Sequence, residues 1–413
     1  MKYYPLRPIQ RWLIDTHFNK AKSTMMNIGG LFELPPELDL QRLAAAINEV
    51  LNRHDIFRCR LAVHPETSDL CQTFDGEIMP VVIEEWTDEE FETIQKYLIE
   101  PYDLIGKPLY RAYIFKTPSA NYFHVDFYHA VMDGVAASIL FGREIDKEYR
   151  GLKNSRKALS YAEYVEEEAN TPPEDLSEGH DYWKKMLSAF DKKKHLPPIE
   201  VEGVPAWTQG KFECMLKNIP KKFFTDTRTD ENNYFMGAAM LALAKITGSK
   251  ESIMSWIHNG RMNMRERRLM GLMLEQIPCA WDFHEDISTG EFLSKLSEQT
   301  KTSMTYRKSL DWVYNSGLED DCVSFIFQKD LHTGVALNGM VAKAVYLPPN
   351  EISAVENALD IEVEANDEDS YDLSLDYDAS RYSEDEMRRF AEMMNEILIA
   401  MKNPDTRVSE LLT

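Results

Sequence analysis

Residues 108–152 contain two strand-like segments followed by a helical one, and this order restricts the folds open to the chain. PLYRAYIF (108–115) and NYFHVDFY (121–128) are rich in aromatic and β-branched residues, which favours β-strands. GVAASILFGREIDKEYRGL (134–152) predicts a helix that ends at Gly151. Helical and extended patterns mix in the same way along the rest of the chain, which predicts a mixed α/β fold.

A change of composition at 171–207 divides the chain. The stretch contains two proline pairs, in TPPED and LPPIEVEGVP, and scattered charge, with one short predicted helix, HDYWKKML, inside it. At 413 residues the chain is long enough for two or three domains. We expect an N-terminal lobe at 1–170, a connection at 171–207 and a C-terminal lobe at 208–413.

Further elements are predicted on both sides of this connection, each from its periodicity or its residue types. They are a helix at 38–54, a strand at 210–216, a helix at 233–248, a strand at 251–257, a strand at 370–377 and a helix at 383–402. Ser383 followed by Glu386 matches a capping box for the last helix.

The charge balance argues against binding to nucleic acid. The chain carries 46 Lys and Arg against 69 Asp and Glu, a formal net charge of −23, which repels phosphates. Two basic clusters, Lys192–Lys194 and Arg265–Arg268, are either solvated loops or a local landing site for a phosphate-bearing partner. The chain has no run of about 18 apolar residues and no apolar signal region, so we expect no membrane span and a cytoplasmic location.

The cysteines indicate neither a disulfide framework nor a zinc site. They are odd in number, widely scattered and without a C-x-x-C pair, so we expect most of them to be buried free thiols. They are Cys59, Cys71, Cys214, Cys279 and Cys322.

The segment YHAVMDG (128–134) places His129 at the end of the second predicted strand. Alternate residues of a strand face opposite sides, so His129 extends the apolar face formed by Phe123, Val125 and Phe127. An imidazole there is either a hydrogen-bonded core histidine or a base in a cavity, and position alone favours the core histidine.

Asp133 and Gly134 also have a simple structural explanation. Asp133 directly precedes Gly134 and a predicted helix, which is the position of an N-cap residue. His129 and Asp133 could be two metal ligands, but no second cluster of His, Asp or Glu has matching spacing. We therefore expect no metal site.

Seven segments resemble, in order, motifs of the condensation-domain family of nonribosomal peptide synthetases, within the chloramphenicol-acetyltransferase-like superfamily of thioester-dependent acyltransferases. Each match is weak alone, but together they cover nearly the whole chain, and the fourth is similar to the family's H-H-x-x-x-D-G. They are PLRPIQRWL (5–13), NRHDIFRCRL (52–61), YDLIGKPLYRA (102–112), YHAVMDG (128–134), DYWKKML (181–187), NGRMNMRERRLMGLMLEQIP (259–278) and YDASRY (377–382).

The resemblance implies a fold of two chloramphenicol-acetyltransferase-like α/β lobes, set in a V-shaped pseudo-dimer with the active site in a tunnel between them. One mouth of the tunnel would admit an acyl group on a phosphopantetheine arm, and the other would admit the nucleophile. Because both faces of such a site lie on one chain, we expect a monomer.

The resemblance also implies that His129 is the general base. An amine or hydroxyl must lose a proton as it attacks a thioester carbonyl, and histidine titrates near neutrality. The tetrahedral oxyanion needs fixed donors, and the amide of Gly134 at a helix N-terminus is one candidate.

In the family, the aspartate of this motif points away from the substrate and pairs with an arginine. Asp133 is therefore expected to be structural and to hold the loop that presents His129. Arg53 is the first choice of partner, and Arg58 and Arg261 are the alternatives.

Three residues depart from the family pattern. Tyr128 stands where the first histidine of the motif is usual, Glu275 where an asparagine is usual, and Ala280 where an arginine is common. Tyr128 faces away from His129 by strand parity, so the base is retained. The change bears on peptide-bond formation, at the acceptor side, more than on acyl transfer in general.

Between Met1 and Thr413 we find neither an adenylation domain nor a G-x-D-S-L-type carrier sequence. We therefore expect a stand-alone enzyme without a tightly bound cofactor, whose donor arrives in trans on a carrier protein or on coenzyme A. Carrier proteins are usually acidic, so a carrier would need a local basic patch such as Lys192–Lys194 or Arg265–Arg268.

The sequence thus predicts an acyltransferase that moves an acyl group from a phosphopantetheine thioester to a small amine or alcohol. One alternative is a non-catalytic binding or recruiting module of the same fold, favoured by the changes at 128, 275 and 280. Another is an alcohol O-acetyltransferase-type enzyme that uses acyl-coenzyme A. The retained His129, Asp133 and Gly134 favour an enzyme.

Overall fold

In a computed structural model, the chain forms two compact units. The residues that the structure describes are 2–19, 24–152, 157–190, 201–316, 323–329, 334–347, 355, 357–366 and 369–413. The first unit comprises Met1–Thr171, Asn259–Leu274 and Leu331–Ser353. The second unit comprises Pro172–His258, Glu275–Asp330 and Ala354–Thr413.

This division differs from the predicted linear boundaries in two ways. Two segments from the second half of the chain, Asn259–Leu274 and Leu331–Ser353, belong to the first unit. The short helix predicted at 180–187, inside the expected connection, is the end of a longer helix, Pro173–Ser188, that belongs to the second unit. Boundaries drawn along the sequence miss such an exchange because composition does not reveal where a segment packs.

The first unit is built on two sheets. Its strands are β1 (Tyr4–Pro5), β2 (Asn27–Leu34), β3 (Arg60–Val63), β4 (Leu70–Thr73), β5 (Ile83–Glu85), β6 (Tyr110–Lys116), β7 (Asn121–Tyr128), β12 (Gly334–Leu337) and β13 (Met340–Val345). A six-stranded mixed sheet has the order β12-β13-β2-β7-β6-β5, and a small sheet has the order β1-β4-β3. β7 therefore lies at the centre, antiparallel to both β2 and β6.

The helices of the first unit include one π-helical segment, Val135–Phe141, directly after the H-x-x-x-D-G loop. Its α-helices are α1 (Pro8–Asn19), α2 (Leu40–Arg53), α3 (Asp88–Ile94), α4 (Gly142–Tyr149) and α5 (Tyr161–Ala169). Short 3₁₀ turns lie at Asp55–Arg58, Gln95–Tyr97 and Glu266–Arg268. The helix predicted at 134–152 is thus a π-helical segment that continues into α4 and stops before Gly151, which has a φ of 68°.

The second unit contains a six-stranded mixed sheet and the following elements. Its strands are β8 (Gln209–Leu216), β9 (Glu251–His258), β10 (Glu275–Asp282), β11 (Val323–Gln328), β14 (Leu359–Ala365) and β15 (Tyr371–Asp378). Its helices are α6 (Pro173–Ser188), α7 (Lys221–Thr227), α8 (Glu231–Thr247), α9 (Thr289–Thr305), α10 (Asp311–Asn315), α11 (Glu384–Ala400) and α12 (Val408–Leu412), with a 3₁₀ turn at Arg307–Ser309. The strand order is β10-β9-β11-β14-β15-β8.

The core of the second unit is organised around α8. Twelve consecutive residues of this helix, from Asn233 to Ala244, are buried, so it lies inside the unit and does not present a polar face to solvent. The predicted capping box of α11 is confirmed, with Ser383 and Glu386 each bonding the other's backbone N–H.

Each unit repeats one motif, a strand that leads through a short loop into a capped helix. The N–H of His129 donates to the carbonyl of Met26 at 2.7 Å, and the N–H of Asp378 donates to that of Ala358 at 3.1 Å. Both acceptors directly precede the strand that pairs with the motif's own strand. His129 and Asp378 therefore occupy corresponding positions, and the prediction of two similar α/β lobes is confirmed.

Three further features concern the described ranges only. No helix in them is long and apolar enough to cross a membrane. No group of three or more His, Cys, Asp or Glu residues in them is arranged to hold a metal ion. The cysteines in them, at 59, 71, 214 and 279, are free.

Candidate active site

His129 is the first residue beyond β7, and its backbone is still fixed by the sheet. The bond from its N–H to Met26 continues the pairing between β7 and β2 by one residue. The side chain is half-buried. Nδ1 is buried without a hydrogen-bond partner in the described part of the chain, which leaves Nε2 as the nitrogen that a substrate could reach.

Burial also sets the charge of this imidazole. The loss of solvation lowers the pKa of His129 below its ordinary value of 6.5, while nearby backbone carbonyls and the charge of Asp133 act in the opposite direction. A histidine with a lowered pKa is neutral at neutral pH. His129 can therefore accept a proton, which is the first requirement of a general base.

The loop after His129 is held by the carboxylate of Asp133, which is buried. Its Oδ1 accepts from the N–H of Ala136 at 2.8 Å, the bond of an N-cap residue. Its Oδ2 accepts from the N–H groups of Met273 at 2.6 Å and Leu274 at 3.2 Å. Asp133 thus ties the start of the helix to a segment from the second half of the chain, within the first unit.

The arginine partner of Asp133 is Arg261. Its Nη1 donates to Oδ2 of Asp133 at 2.7 Å, and both side chains are only 3% exposed. Its Nη2 donates to the carbonyls of Gly271 at 3.0 Å and Leu269 at 3.3 Å. The ion pair is therefore surrounded by additional hydrogen bonds, which is the condition under which a buried pair is tolerated.

The first choice of partner, Arg53, is wrong. Arg53 ends α2, and its guanidinium donates instead to Glu144 at 3.0 Å and Glu148 at 2.5 Å on α4. Arg58 donates to the carbonyl of Gly76 and to Asn52, each at 3.3 Å. Both arginines fix the framework of the first unit and neither contacts Asp133.

The segment Leu269–Leu274 is also fixed by two side chains of the first unit that bind the carbonyl of Leu272. The carbonyl of Leu272 accepts from Nη1 of Arg7 and from the hydroxyl of Tyr161, both at 2.8 Å. Gly271 has a φ of +140°, and a Cβ there would lie 2.4 Å from the ring of Tyr161. Only glycine fits at this point, because any side chain at position 271 would collide with the ring of Tyr161 against which the segment packs.

A pocket of about 130 Å³ lies in the first unit beside the start of the helix. One wall is the apolar face of β7, and Gly134 is part of the lining. The remaining lining residues come from β2, the π-helical segment and α4, and they are Ile28, Gly29, Phe32, Ala137, Ser138, Phe141, Gly142 and Ile145. The sequence indicated the β7 face, but the contribution of β2 follows only from strand pairing.

Tyr128 lies on the other face of β7 and is fully buried. Its ring packs edge-on against His17, with 5.5 Å between centroids, and is tilted against Tyr102 at 5.6 Å. Tyr128 therefore fills the core behind the strand. Its replacement of a histidine leaves the pocket-facing side of β7 unchanged.

The remaining candidate residues lie elsewhere. Glu275 is the first residue of β10 in the second unit and pairs in register with His258. In the basic cluster at 265–268, Arg265 forms an ion pair with Glu167, and Arg268 donates to the carbonyl of Lys157 at 3.2 Å. Lys192–Lys194 lies outside the described residues.

Comparison with known proteins finds a family model that matches the whole chain. The model of the Condensation domain matches residues 1–413. Surfactin synthase subunit 2 of Bacillus subtilis (strain 168) is 20% identical over 430 residues, which cover 99% of this chain and 12% of that protein. The chain therefore spans about one eighth of the length of this curated relative.

Solved structures share the fold at low sequence identity. The condensation domain of the Monacolin K polyketide synthase MokA has a TM-score of 0.82 at 17% identity, with 99% of both chains covered. A mutant starter condensation domain of rhizomide synthetase RzmA, in complex with C8-CoA, has a TM-score of 0.78 at 15% identity, with 98% of this chain and 96% of that chain covered.

Proposed function

Because the chain belongs to the condensation-domain family, we propose that it transfers an acyl group from a phosphopantetheine thioester to an amine or alcohol. The donor is a carrier protein or coenzyme A. The proposal is carried by His129, a half-buried imidazole of lowered pKa that directly precedes a loop locked by the Asp133–Arg261 pair.

In the proposed reaction, His129 takes the proton of the acceptor through Nε2 while the acceptor nitrogen or oxygen attacks the thioester carbonyl carbon. A new C–N or C–O bond forms as the carbonyl becomes a tetrahedral oxyanion. The C–S bond then breaks, and the proton on His129 passes to the leaving thiolate. The positive end of the helix that begins at Gly134 contributes a favourable field for the oxyanion.

Asp133 and Arg261 do not touch the reacting atoms in this scheme. Their ion pair and the bonds from Ala136, Met273 and Leu274 fix the loop, so that His129 needs little reorganisation during the reaction.

We assign the alkyl part of the acyl group to the pocket beside Gly134. Its walls are mainly aliphatic and aromatic, and Ser138 supplies the hydroxyl among the lining side chains. Such a lining favours an uncharged chain over a charged one, because a buried charge without a partner is costly. The RzmA domain of the same fold was solved with C8-CoA, which makes an aliphatic acyl-CoA a suitable first donor to test.

The proposal is tested by incubating the protein with acyl-CoA and acyl-carrier thioesters of increasing chain length and a panel of amines and alcohols. Products are detected by mass spectrometry. His129→Ala is run in parallel, with His284→Ala as a matched control, since His284 is an exposed histidine of the second unit.

Turnover by the wild type and His284→Ala, with a loss of about 10²-fold or more in His129→Ala, is the expected result. Equal turnover by the wild type and His129→Ala would contradict the assignment of the base. Tight binding of a thioester without transfer to any acceptor would favour a recruiting module instead.

A further inference from the structure

Two buried glutamines of the first unit, Gln10 and Gln72, form a closed pair. Both are 0% exposed. Nε2 of Gln10 donates to Oε1 of Gln72 at 3.1 Å, and Nε2 of Gln72 donates to Oε1 of Gln10 at 2.9 Å. Gln10 lies on α1 and Gln72 on β4, so the pair joins two elements that are far apart in sequence.

The outer bonds of this pair fix its orientation. Gln72 donates its second N–H to the carbonyl of Pro5 at 2.8 Å and accepts from the thiol of Cys59 at 3.6 Å. Gln10 accepts from the N–H of Arg7 at 3.0 Å. Rotation of either amide by 180° would bring two NH₂ groups or two carbonyl oxygens together, so each amide has one satisfied orientation.

The remaining N–H of the pair, on Gln10, donates to the backbone of the candidate active site. Nε2 of Gln10 donates to the carbonyl of Ala130 at 2.9 Å, and Ala130 directly follows His129. The backbone on both sides of His129 is thus fixed by hydrogen bonds. The N–H of His129 binds the carbonyl of Met26, and the carbonyl of the next residue, Ala130, binds Gln10.

We infer that Gln72 is a positioning residue for His129, acting through the amide of Gln10 and the carbonyl of Ala130. The inference rests on the proposed role of His129 as the base. A base displaced by about 1 Å from its reactive position can lose about 10²-fold in rate. A residue that fixes the adjacent peptide therefore affects kcat without touching the substrate.

Gln72→Glu is the most specific variant, because its effect depends on protonation. A neutral carboxyl can donate its one O–H to Oε1 of Gln10 and accept from Nε2 of Gln10, so the pair survives while the bond to the carbonyl of Pro5 is lost. An ionised carboxylate turns an oxygen toward Oε1 of Gln10 and breaks the pair. Burial raises the pKa of such a carboxyl, so we expect kcat of Gln72→Glu to be near the wild-type value at low pH and to fall as pH rises, a loss that the wild type does not show.

Gln72→Leu removes the pair at every pH and is compared with Gln299→Leu. Gln299 is a matched control, since it also bonds a carbonyl, that of Ala280 at 2.9 Å, and a thiol, that of Cys279 at 3.2 Å, within the second unit. We expect Gln72→Leu to lower kcat by about 10-fold or more with KM nearly unchanged. Gln299→Leu should lower the melting temperature while kcat per folded molecule is kept.

A measurement without turnover separates this inference from the proposed function. Histidine ring signals are recorded by NMR, and the His129 signal is identified by its loss in His129→Ala. We expect Gln72→Leu, but not Gln299→Leu, to shift or broaden that signal in folded protein. An unchanged His129 signal in Gln72→Leu would overturn the positioning role even if His129 is the base. A changed signal with equal turnover by wild type and His129→Ala would instead reject only the proposed function.

Discussion

At the residue scale, Asp133 has both of the structural contacts that were expected, the N-cap bond indicated by its position and the arginine pair implied by the family resemblance. Its Oδ1 caps the helix through Ala136, and its Oδ2 accepts from Arg261 and from two backbone N–H groups. The carboxylate therefore belongs to the framework that presents His129, and its removal should affect folding before it affects chemistry.

Asp133→Ala is expected to lower the free energy of unfolding by about 3 to 5 kcal/mol, because Arg261 is left buried and unpaired. Denaturant unfolding measures this loss. A double variant, Asp133→Leu with Arg261→Met, should be less destabilised than the sum of its single changes, since neither charge is then stranded.

Lys116→Ala is a matched control for this prediction. Lys116 pairs with Glu85, but the two side chains are 51% and 74% exposed, so we expect its loss to cost less than about 1 kcal/mol. A free energy of unfolding in Asp133→Ala equal to that of the wild type would show that the buried pair does not hold the loop.

A second prediction concerns His124, which is fully buried on β7 and stacked on Tyr113, with 6.2 Å between ring centroids. Burial, with a contribution from the charge of Arg111, lowers the pKa of His124 to about 4. Between pH 6.5 and 4 the unfolded chain therefore binds a proton at this residue that the folded chain does not bind. Folding stability falls as pH falls through this range.

The measurement compares the wild type with His124→Phe, which keeps a ring of similar size and cannot titrate. From pH 7 to pH 4, the wild type should lose up to about 3 kcal/mol more unfolding free energy than the variant. If the unfolding free energies of the two proteins changed equally with pH, His124 would not be held neutral in the fold.

The residues of this site were predictable from sequence to different degrees. Strand parity placed His129 on the apolar face of β7, and Asp133 was placed at an N-cap, both from local sequence, but His129 as a base was implied only by the family resemblance. The choice of Arg261 over Arg53 was not accessible in this way, because the two partners of the pair are 128 residues apart. Gln72 carried no signal, since a polar residue in a short strand is usually at the surface.

At the element scale, the close contact of β2 and β7 decides the shape of the pocket. Gly29 and Gly30 are adjacent on β2 but have different surroundings. Gly29 has a φ of +148°, and a Cβ there would lie 2.1 Å from the carbonyl oxygen of Val125 on β7. A Cβ on Gly30 would be 3.6 Å from its nearest neighbour, a ring atom of Phe32.

Gly29→Ala is therefore expected to separate the two strands and to lower the free energy of unfolding by more than about 2 kcal/mol. Gly30→Ala should stay within about 0.5 kcal/mol of the wild type, because the added methyl group fits in ordinary contact. Denaturant unfolding of the two variants measures both. Equal effects would mean that the β2–β7 approach does not require glycine.

The elements themselves followed well from sequence where the pattern was regular. β7 was predicted with its observed bounds, and α2 within two residues of them at either end. The helix after His129 was placed, but its π-helical first part was not. A π-helical segment depends on how side chains pack against the sheet, which the sequence pattern of one helix does not contain.

At the scale of the whole molecule, the chain consists of two units that repeat a strand, loop and capped helix. By strand pairing, His129 of the first unit corresponds to Asp378 of the second. Asp378 is 1% exposed and accepts from the backbone N–H and the hydroxyl of Ser380 at 3.0 and 2.6 Å. In the second unit, Asp378 therefore fixes the loop that follows its strand. A histidine at this position, the proposed base, is present in the first unit and not at the corresponding position of the second.

The two similar lobes were expected only from the family resemblance, because the loops after the corresponding strands, at His129 and at Asp378, differ in composition and show no repeat in the sequence pattern. The two segments that pass from the second half of the chain into the first unit were hidden for a related reason. Their packing depends on contacts such as that of Arg261 with Asp133, which only the folded chain brings together.

The most direct test of His129 as the base is kcat/KM for acyl transfer, measured on the wild type, His129→Ala and Asp378→Asn at matched folded concentration. We expect kcat/KM to fall by about 10² to 10⁴-fold in His129→Ala and to remain near the wild-type value in Asp378→Asn. Because burial lowers the pKa of His129, the wild-type activity should also persist below pH 6.5. Equal kcat/KM for the wild type and His129→Ala would contradict the role of His129 as the base.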